Sequence, residues 1–438
     1  MLIKNKDEKA SISYKNKKFN FIEYYHRVIK SKDGKVLFDN LISLSLLQVA
    51  GYIFPLITIP YLSRVIGVDK FGEIAFASAI IAYFQTVSDW GFNYTATRDI
   101  AKNRDNKDKV SQIFSSVMWA RLLLTVLSFI VLLILILIIP KFRETSALIL
   151  ITFCLIPGHI MFPEWLFQGL ERMKYITILN IIAKAFFTIA VFVFIREKSD
   201  FILQPLFTSL GYIISGLIAM YFILIRWKIR FIKPSLVDIK TTIIKSTDVF
   251  INNIMPNLYN NFSVLLLGFF AGSVSNGKLD AGSKFVNIAS SFNALLSRAF
   301  YPFLSRKINK HDLYAKISIC IAIILSFILF LLAPFLIKVF FTAEFYDGIV
   351  VLRIMSISIP FLTLSNIYGT NYMIIEGYEK TLRNITVRSS LIGFVISIPL
   401  VYKFDYIGAA VTITLTRAIL GIGIMYRGLK IRKDKLLL

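Results

Sequence analysis

The chain has 438 residues, of which 56% are hydrophobic and 17% are charged, and 39 of them are phenylalanine. Because a soluble globular chain carries roughly 25% charged residues, this composition excludes an ordinary soluble protein, a disordered chain and a small disulfide-stabilised domain. The net charge of +24 would fit nucleic-acid binding in a soluble protein, whereas in a membrane protein it marks the loops that stay in the cytoplasm.

Apolar runs of at least about 17 residues predict twelve membrane-spanning helices. In chain order the predicted spans are 41–62, 73–95, 113–139, 146–167, 175–195, 203–225, 247–271, 281–303, 317–337, 349–375, 385–402 and 406–426. The spans at 73–95, 247–271 and 281–303 carry the most polar residues. The last two spans are separated by residues 403–405 alone.

The distribution of Lys and Arg predicts the orientation of these spans. With the N-terminus placed in the cytoplasm, the inner segments hold 34 of the 50 basic residues and the outer loops hold 9. This asymmetry predicts that both termini are cytoplasmic, and it accounts for the charge without a nucleic-acid partner.

The longest inner loop divides the predicted spans into two sets of six. The predicted parts are a basic tail at 1–36, a six-helix bundle at 37–226, a basic linker at 227–246, a second six-helix bundle at 247–427 and a basic tail at 428–438. We expect the first tail to be disordered and to lie against anionic phospholipids.

Seven basic residues fall inside the predicted spans: Arg121, Lys184, Lys284, Arg298, Arg353, Arg388 and Arg417. An Arg or Lys at the centre of a membrane helix costs ~2.5–3.5 kcal/mol to insert, so such residues reach the headgroups, pair with an acid or face water. Lys184 and Arg417 lie near the middle of their spans, which leaves a water-filled cavity or a structural ion pair as alternatives.

Three predicted helices carry polar residues along one face. These residues are Gln85, Asp89 and Asn93 in the second span, Asn253, Asn257 and Asn260 in the seventh, and Lys284, Asn287, Ser291 and Arg298 in the eighth. Residues spaced by three or four positions share a face of a helix. One polar face is typical of a contact between helices, whereas three favour a hydrated path through the protein.

Three acidic residues lie within the spans: Asp89, Glu164 and Asp248. Each is a candidate for binding a coupling proton or cation, and Asp89 is the leading one because it shares a polar face with Gln85 and Asn93. The alternative is an ion pair, for Asp89 with Arg98 or Arg121. The three histidines and two cysteines are scattered, so neither a metal site nor a cofactor is predicted. A path lined mainly by bases, in a chain without room for a catalytic domain, predicts a carrier of an anionic cargo rather than an enzyme.

Short segments in both halves resemble the Wzx-type O-antigen flippases, which share a superfamily with the MATE multidrug exporters and the lipid II flippases. The segments are PYLSRVIG at 60–67, FGEIAFA at 71–77, DWGFN at 89–93, ATRDIA at 96–101, LYNN at 258–261, LLLG at 265–268 and YPFLSR at 301–306. The resemblance extends over about 40–430, and its motifs are more specific in the first half.

The resemblance implies an all-α integral membrane protein with about 12 transmembrane helices, arranged MATE-like as two six-helix bundles around a central cavity. It implies a multi-pass protein of the bacterial inner membrane that moves undecaprenyl-diphosphate-linked oligosaccharide from the cytoplasmic to the outer leaflet, coupled to an ion gradient. A polysaccharide polymerase and a chain-length regulator are the implied protein partners.

Together, the spacing and the resemblance predict a set of cargo-binding residues. They are Arg298, Lys184, Arg417, Lys284, Arg121, Arg98, Asn257 and Asn260. Arg298 and the 89–98 stretch match family positions associated with the cavity and its cytoplasmic mouth.

Three other functions remain open at this stage. A MATE-type cation exporter would need an acidic cavity, and a lipid II flippase usually has fourteen spans. A membrane-embedded enzyme of polysaccharide synthesis would need a large outer loop or an acidic catalytic motif, and the predicted outer loops are short.

Overall fold

The computed structural model describes residues 32–306 and 308–436, and within them the chain is almost wholly helical and contains no strand. This confirms the predicted all-α fold class. Residues 1–31 of the predicted disordered tail lie outside the described residues, and residues 32–36 form the start of the first helix.

The described part of the first half contains nine α-helices. They are α1 (Lys32–Asp89), α2 (Phe92–Lys102), α3 (Lys107–Ile138), α4 (Pro140–Glu144), α5 (Ser146–Phe153), α6 (Leu155–Met161), α7 (Glu164–Gly169), α8 (Met173–Phe194) and α9 (Leu203–Met220). A 3₁₀ turn at Lys198–Ile202 precedes α9, and a π-helix at Tyr221–Arg226 extends it.

The described part of the second half contains seven α-helices. They are α10 (Leu236–Ile254), α11 (Asn260–Phe270), α12 (Ser273–Arg306), α13 (His311–Phe340), α14 (Gly348–Ser356), α15 (Ser358–Leu364) and α16 (Glu379–Leu436). Short 3₁₀ turns lie at Met255–Leu258, Ile308–Lys310 and Ala343–Phe345, and a π-helix at Ser365–Ile374 follows α15.

The two longest helices are each interrupted by one residue with positive φ. Gly67 breaks α1 at φ 71°, and Asp405 breaks α16 at φ 54°. Both breaks fall in predicted loops, after the spans 41–62 and 385–402. Glycine is suited to Gly67 because it has no Cβ to clash in the left-handed region, and the Asp405 carboxylate accepts a hydrogen bond from Ser275 at 2.8 Å.

Seven helical stretches in the described residues are long and apolar enough to cross a membrane. They are Lys107–Ile138, Ser146–Gly169, Met173–Phe194, Lys198–Arg226, Ile308–Phe340, Gly348–Ile374 and Glu379–Lys435. The last contains the break at Asp405 and therefore covers two predicted spans. The remaining predicted spans lie on α1, α10–α11 and α12, and the number twelve stays a prediction.

The two halves meet through α1 and α12 at a contact between backbones, which we call the glycine seam (Val68, Gly72, Ser273 and Gly277). A Cβ added at Gly72 would lie 1.7 Å from the carbonyl oxygen of Ser273, and one added at Gly277 would lie 2.2 Å from that of Val68. Only glycine permits so close an approach.

A second contact joins the end of α1 to α10, and we call it the tryptophan seam (Trp90, Gly91, Val249 and Phe250). The rings of Trp90 and Phe250 stack at 3.9 Å and 5°, and the Trp90 indole donates to the Ile243 carbonyl at 3.2 Å. Gly72 and Trp90 are eighteen residues apart, which is about 27 Å along a helix. That distance is close to the thickness of the hydrocarbon layer.

Candidate functional site

A cavity of about 860 Å³ lies between the halves, bounded by α1, α8, α9, α11, α12 and α16. Its walls are partly apolar, with Phe54, Phe71 and Phe187 among the lining side chains. Its polar lining residues are Thr58, Ser78, Lys184, Gln204, Thr208, Tyr212, Asn257, Asn260, Asn261, Asp280, Ser283, Lys284, Asn287 and Arg417. Such a mixture of apolar walls and a few polar groups is typical of a ligand-binding cavity.

Three of the bases predicted to bind cargo line this one cavity: Lys184, Lys284 and Arg417. Lys284 pairs with Asp280, which also lines the cavity, at 2.8 Å. The ion pairs within the described residues include neither Lys184 nor Arg417. The cavity therefore holds two bases without a carboxylate partner.

Arg417 is the most deeply placed of the three, with 7% of its surface exposed. Its guanidinium donates to the Ser358 hydroxyl at 3.0 Å and to the Asn260 amide oxygen at 3.4 Å. Its Nε is buried and has no hydrogen-bond partner in the described structure. A buried cation held only by neutral groups is costly, so the site is suited to an anion that enters the cavity.

The predicted amides also lie at the cavity. Asn257 donates to the Thr86 hydroxyl at 3.0 Å and accepts from Asn261 at 3.0 Å. The Asn260 amide oxygen accepts from Arg417, which places Arg417 beside these amides. The Tyr83 hydroxyl donates to the Asn257 carbonyl at 2.7 Å, so α1 and the turn before α11 are tied together beside the cavity.

One polar face was not predicted. Gln204, Thr208 and Tyr212 lie on α9 and line the cavity. Their spacing of four residues is the same signal that identified the other three faces. The surrounding run is strongly apolar, which makes this polar face hard to recognise from the sequence.

The other three bases predicted to bind cargo lie outside the cavity lining. Arg121 has 4% of its side chain exposed and pairs with Asp89. Arg98 is exposed and touches the neighbouring Asp99. Arg298 is exposed on α12, about three turns beyond the cavity residue Asn287. The structure does not bring these three side chains together with Lys184 and Arg417.

The three candidate coupling acids have different surroundings. Asp89 forms its ion pair with Arg121, and Asp248 is largely exposed and pairs with Arg383 at 2.5 Å. Glu164 accepts a hydrogen bond from the Asn180 amide at 2.9 Å and has no ion pair within the described residues. Its partner Asn180 lies one turn before the cavity residue Lys184 on α8.

A metal site is not found in the residues that the structure describes. Groups of three or more His, Cys, Asp or Glu side chains that could hold a metal ion are absent there. The side chains that line the cavity offer charge and hydrogen bonds.

The chain matches the family described as "Polysaccharide biosynthesis protein" over residues 37–308. A protein from Escherichia coli (strain K12) described as an O-antigen transporter is 31% identical over 389 residues, which cover 87% of this chain and 94% of that protein.

Two solved structures share the fold at low sequence identity. The lipid II flippase MurJ in an inward closed conformation has a TM-score of 0.70 and 13% identity, covering 89% of this chain and 87% of that one. An inward-facing MATE family multidrug transporter has a TM-score of 0.64 and 14% identity, covering 91% and 98%. All three relatives are transporters or flippases rather than enzymes, in agreement with the predicted carrier.

Proposed function

The chain belongs to the polysaccharide biosynthesis protein family, and from that premise we propose that it is a flippase for undecaprenyl-diphosphate-linked oligosaccharide. It moves this cargo from the cytoplasmic to the outer leaflet of the bacterial inner membrane. Both termini lie in the cytoplasm, and the cavity opens to one side of the membrane at a time. The polyprenyl chain stays in the lipid while the charged group crosses through the protein.

The observation that carries this proposal is the pair of uncompensated bases, Lys184 and Arg417, in one cavity between the halves. A diphosphate supplies the negatively charged partner that Lys184 and Arg417 lack among the described residues. Planar guanidinium groups bind phosphate oxygens through paired hydrogen bonds. The amides of Asn257 and Asn260 and the face formed by Gln204, Thr208 and Tyr212 offer hydrogen bonds to the sugar hydroxyls.

The same charges argue against export of organic cations. Asp280 is the acid that lines the cavity, and it is already paired with Lys284. A cation would meet two unpaired bases and no free carboxylate there. A lipid II flippase would carry a similar diphosphate, so the sugar portion distinguishes that alternative.

Coupling to an ion gradient requires a group whose occupancy differs between the two open states. Glu164 fits this role better than Asp89 or Asp248, because each of those acids already has a basic partner. Binding of a proton or small cation to Glu164 would change the field at Lys184, which lies one turn from its hydrogen-bond partner Asn180. Cargo and ion would then affect one another's affinity reciprocally.

The cargo site is tested by changing Arg417 and Lys184 separately to Gln. In proteoliposomes, each variant should lower the affinity for undecaprenyl-diphosphate oligosaccharide by roughly tenfold or more, because a charged hydrogen bond contributes about 1.5–3 kcal/mol. Arg417→Lys should retain part of the affinity, because it keeps the positive charge but loses the paired hydrogen bonds of the planar guanidinium. Lys338→Gln, remote from the cavity lining, is the matched control.

Unchanged binding in both Gln variants, with folded protein in the membrane, would exclude the cargo site.

Coupling is tested separately with Glu164→Gln, which should still bind cargo while transport no longer responds to an imposed ion gradient. Transport that responds as in the unmodified protein would remove Glu164 from the coupling role and leave the cargo site standing.

A further inference from the structure

The linker, 227–246, combines basic side chains with exposed apolar ones. Its basic residues are Lys228, Arg230, Lys233, Lys240 and Lys245, and its single acid is Asp238. Its exposed apolar residues are Phe231, Ile232, Leu236, Val237 and Ile244, of which Leu236 is 84% and Val237 72% exposed. A segment surrounded by water would not leave such side chains uncovered.

Contacts with α3 fix the depth of the linker relative to the membrane. The Ser111 hydroxyl accepts from the Arg230 amide at 3.0 Å, and that of Ser115 accepts from the Ile232 amide at 2.9 Å. The Phe231 ring stacks on Trp119 with centroids 5.7 Å apart at 6°.

Leu122 lies three residues beyond Trp119, about 4.5 Å along the helix. The exposed apolar face of α3 begins at this residue and includes Leu122, Leu123, Val126 and Leu127. The stacked rings therefore lie at the edge of the hydrocarbon layer, where aromatic side chains of membrane proteins concentrate.

Helix α10 continues the linker with two distinct faces. Ile239 and Ile243 pack against the apolar core of the first half. Leu236, Lys240 and Ile244 repeat every four residues and are all exposed, so they share a second face of the helix, next to the packed one. That face has apolar side chains to enter a membrane surface and a base to meet its headgroups.

We propose that the linker is a binding surface for anionic phospholipid. Phe231, Ile232, Leu236 and Val237 enter the boundary between headgroups and acyl chains, while Lys233, Lys240 and Lys245 contact the phosphate groups. The excess of bases over the single acid selects an anionic rather than a neutral leaflet. This surface does not depend on which cargo the cavity carries.

Lipid binding at the linker would also act on the conformation of the protein. Phe250 of the tryptophan seam lies on α10, one turn or more beyond the exposed lysines. An anionic leaflet that holds α10 in place therefore stabilises the closed form of that seam.

The full chain, with Cys154 and Cys320 changed to Ser, can be labelled through Ile244→Cys, on the exposed face of α10, with an environment-sensitive fluorophore. Vesicles of phosphatidylcholine alone are compared with vesicles containing phosphatidylglycerol, each with a spin-labelled headgroup lipid as quencher. We expect quenching to be at least about twofold stronger with phosphatidylglycerol and to weaken at high salt. A Lys233→Gln, Lys240→Gln and Lys245→Gln triple variant should remove this difference.

A matched triple variant, Lys141→Gln, Arg196→Gln and Lys338→Gln, removes the same charge from the predicted opposite side and should leave the quenching unchanged. Equal quenching in both kinds of vesicle would overturn the proposal, as would a probe that is unquenched in either. The salt series uses the labelled chain with all linker lysines intact. It therefore tests the proposal even where the triple variant does not fold.

Discussion

The glycine seam and the tryptophan seam close the two ends of the cavity by different physical means. At the glycine seam the backbones of α1 and α12 touch, and no side chain intervenes at Gly72 or Gly277. At the tryptophan seam side chains make the contact, through the Trp90–Phe250 stack and the hydroxyl pair Thr95–Ser246 at 2.7 Å. A polar cavity of about 310 Å³ lies beside this second seam.

The difference indicates how each end can open. A backbone contact has no side chains that could adjust, so it is either made completely or lost. A contact through side chains beside a polar cavity can loosen gradually, because water can replace its hydrogen bonds. We therefore expect the glycine seam to behave as an all-or-none closure and the tryptophan seam to be the more adaptable end.

The largest effect is expected from Gly72→Ala, because its Cβ cannot occupy a position 1.7 Å from the Ser273 oxygen. Overpacking costs about 1–3 kcal/mol, which shifts the closed population roughly 5- to 150-fold. Spin labels at Lys198 and Asp347 should move apart, and transport should fall by a factor on the order of that shift. Gly423→Ala is the control, since its Cβ meets Ile385 at an ordinary 3.4 Å. Equal transport in the two variants would contradict a tight seam.

A smaller effect is expected from Trp90→Ala, which removes both the stack and the hydrogen bond to Ile243. Aromatic pairing and one hydrogen bond contribute about 1–2 kcal/mol together, so the seam should open roughly tenfold more often. The check is the labelling rate of a cysteine replacing the cavity residue Ser78, with reagent added from the cytoplasmic side. Trp90→Phe should give an intermediate rate, and a rate insensitive to both changes would mean that access does not pass through this seam.

Glu344→Gln should weaken the glycine seam and lower the transport rate by about two- to threefold. The Glu344 carboxylate accepts from the Val68 amide across the two halves at 3.2 Å, and the exposed Gln side chain keeps an acceptor but loses the charge. Glu144→Gln, whose exposed partner is Lys141, provides the comparison. An effect as large as that of Gly72→Ala would place the closure in side chains rather than in the backbone.

The smallest effect is expected from Asp248→Asn, next to the tryptophan seam. Asp248 itself is largely exposed in its pair with Arg383, and pairs that water reaches contribute about 0–1 kcal/mol. Transport and its response to the ion gradient should change less than about twofold. A loss of gradient dependence would return Asp248 to the coupling role that Glu164 holds in our proposal.

The candidate site could be predicted in part. The bases Lys184, Lys284 and Arg417 and the amides Asn257 and Asn260 all line the cavity. The sequence placed Arg417 near the middle of its span and offered Arg121 as a partner for Asp89, yet it counted both among the cargo-binding bases. Only packing shows that Arg121 lies against Asp89 while Arg417 has neutral partners.

The sequence by itself determined the membrane class, the all-α fold and the positions of the two main helix breaks. These properties are local, because a hydrocarbon layer requires every span to be apolar and internally hydrogen-bonded. The tertiary structure alone decided which polar faces share a cavity and where the halves touch. The rotation of each helix about its axis depends on contacts with helices distant in sequence, such as Gly72 against Ser273, and no local pattern contains that information.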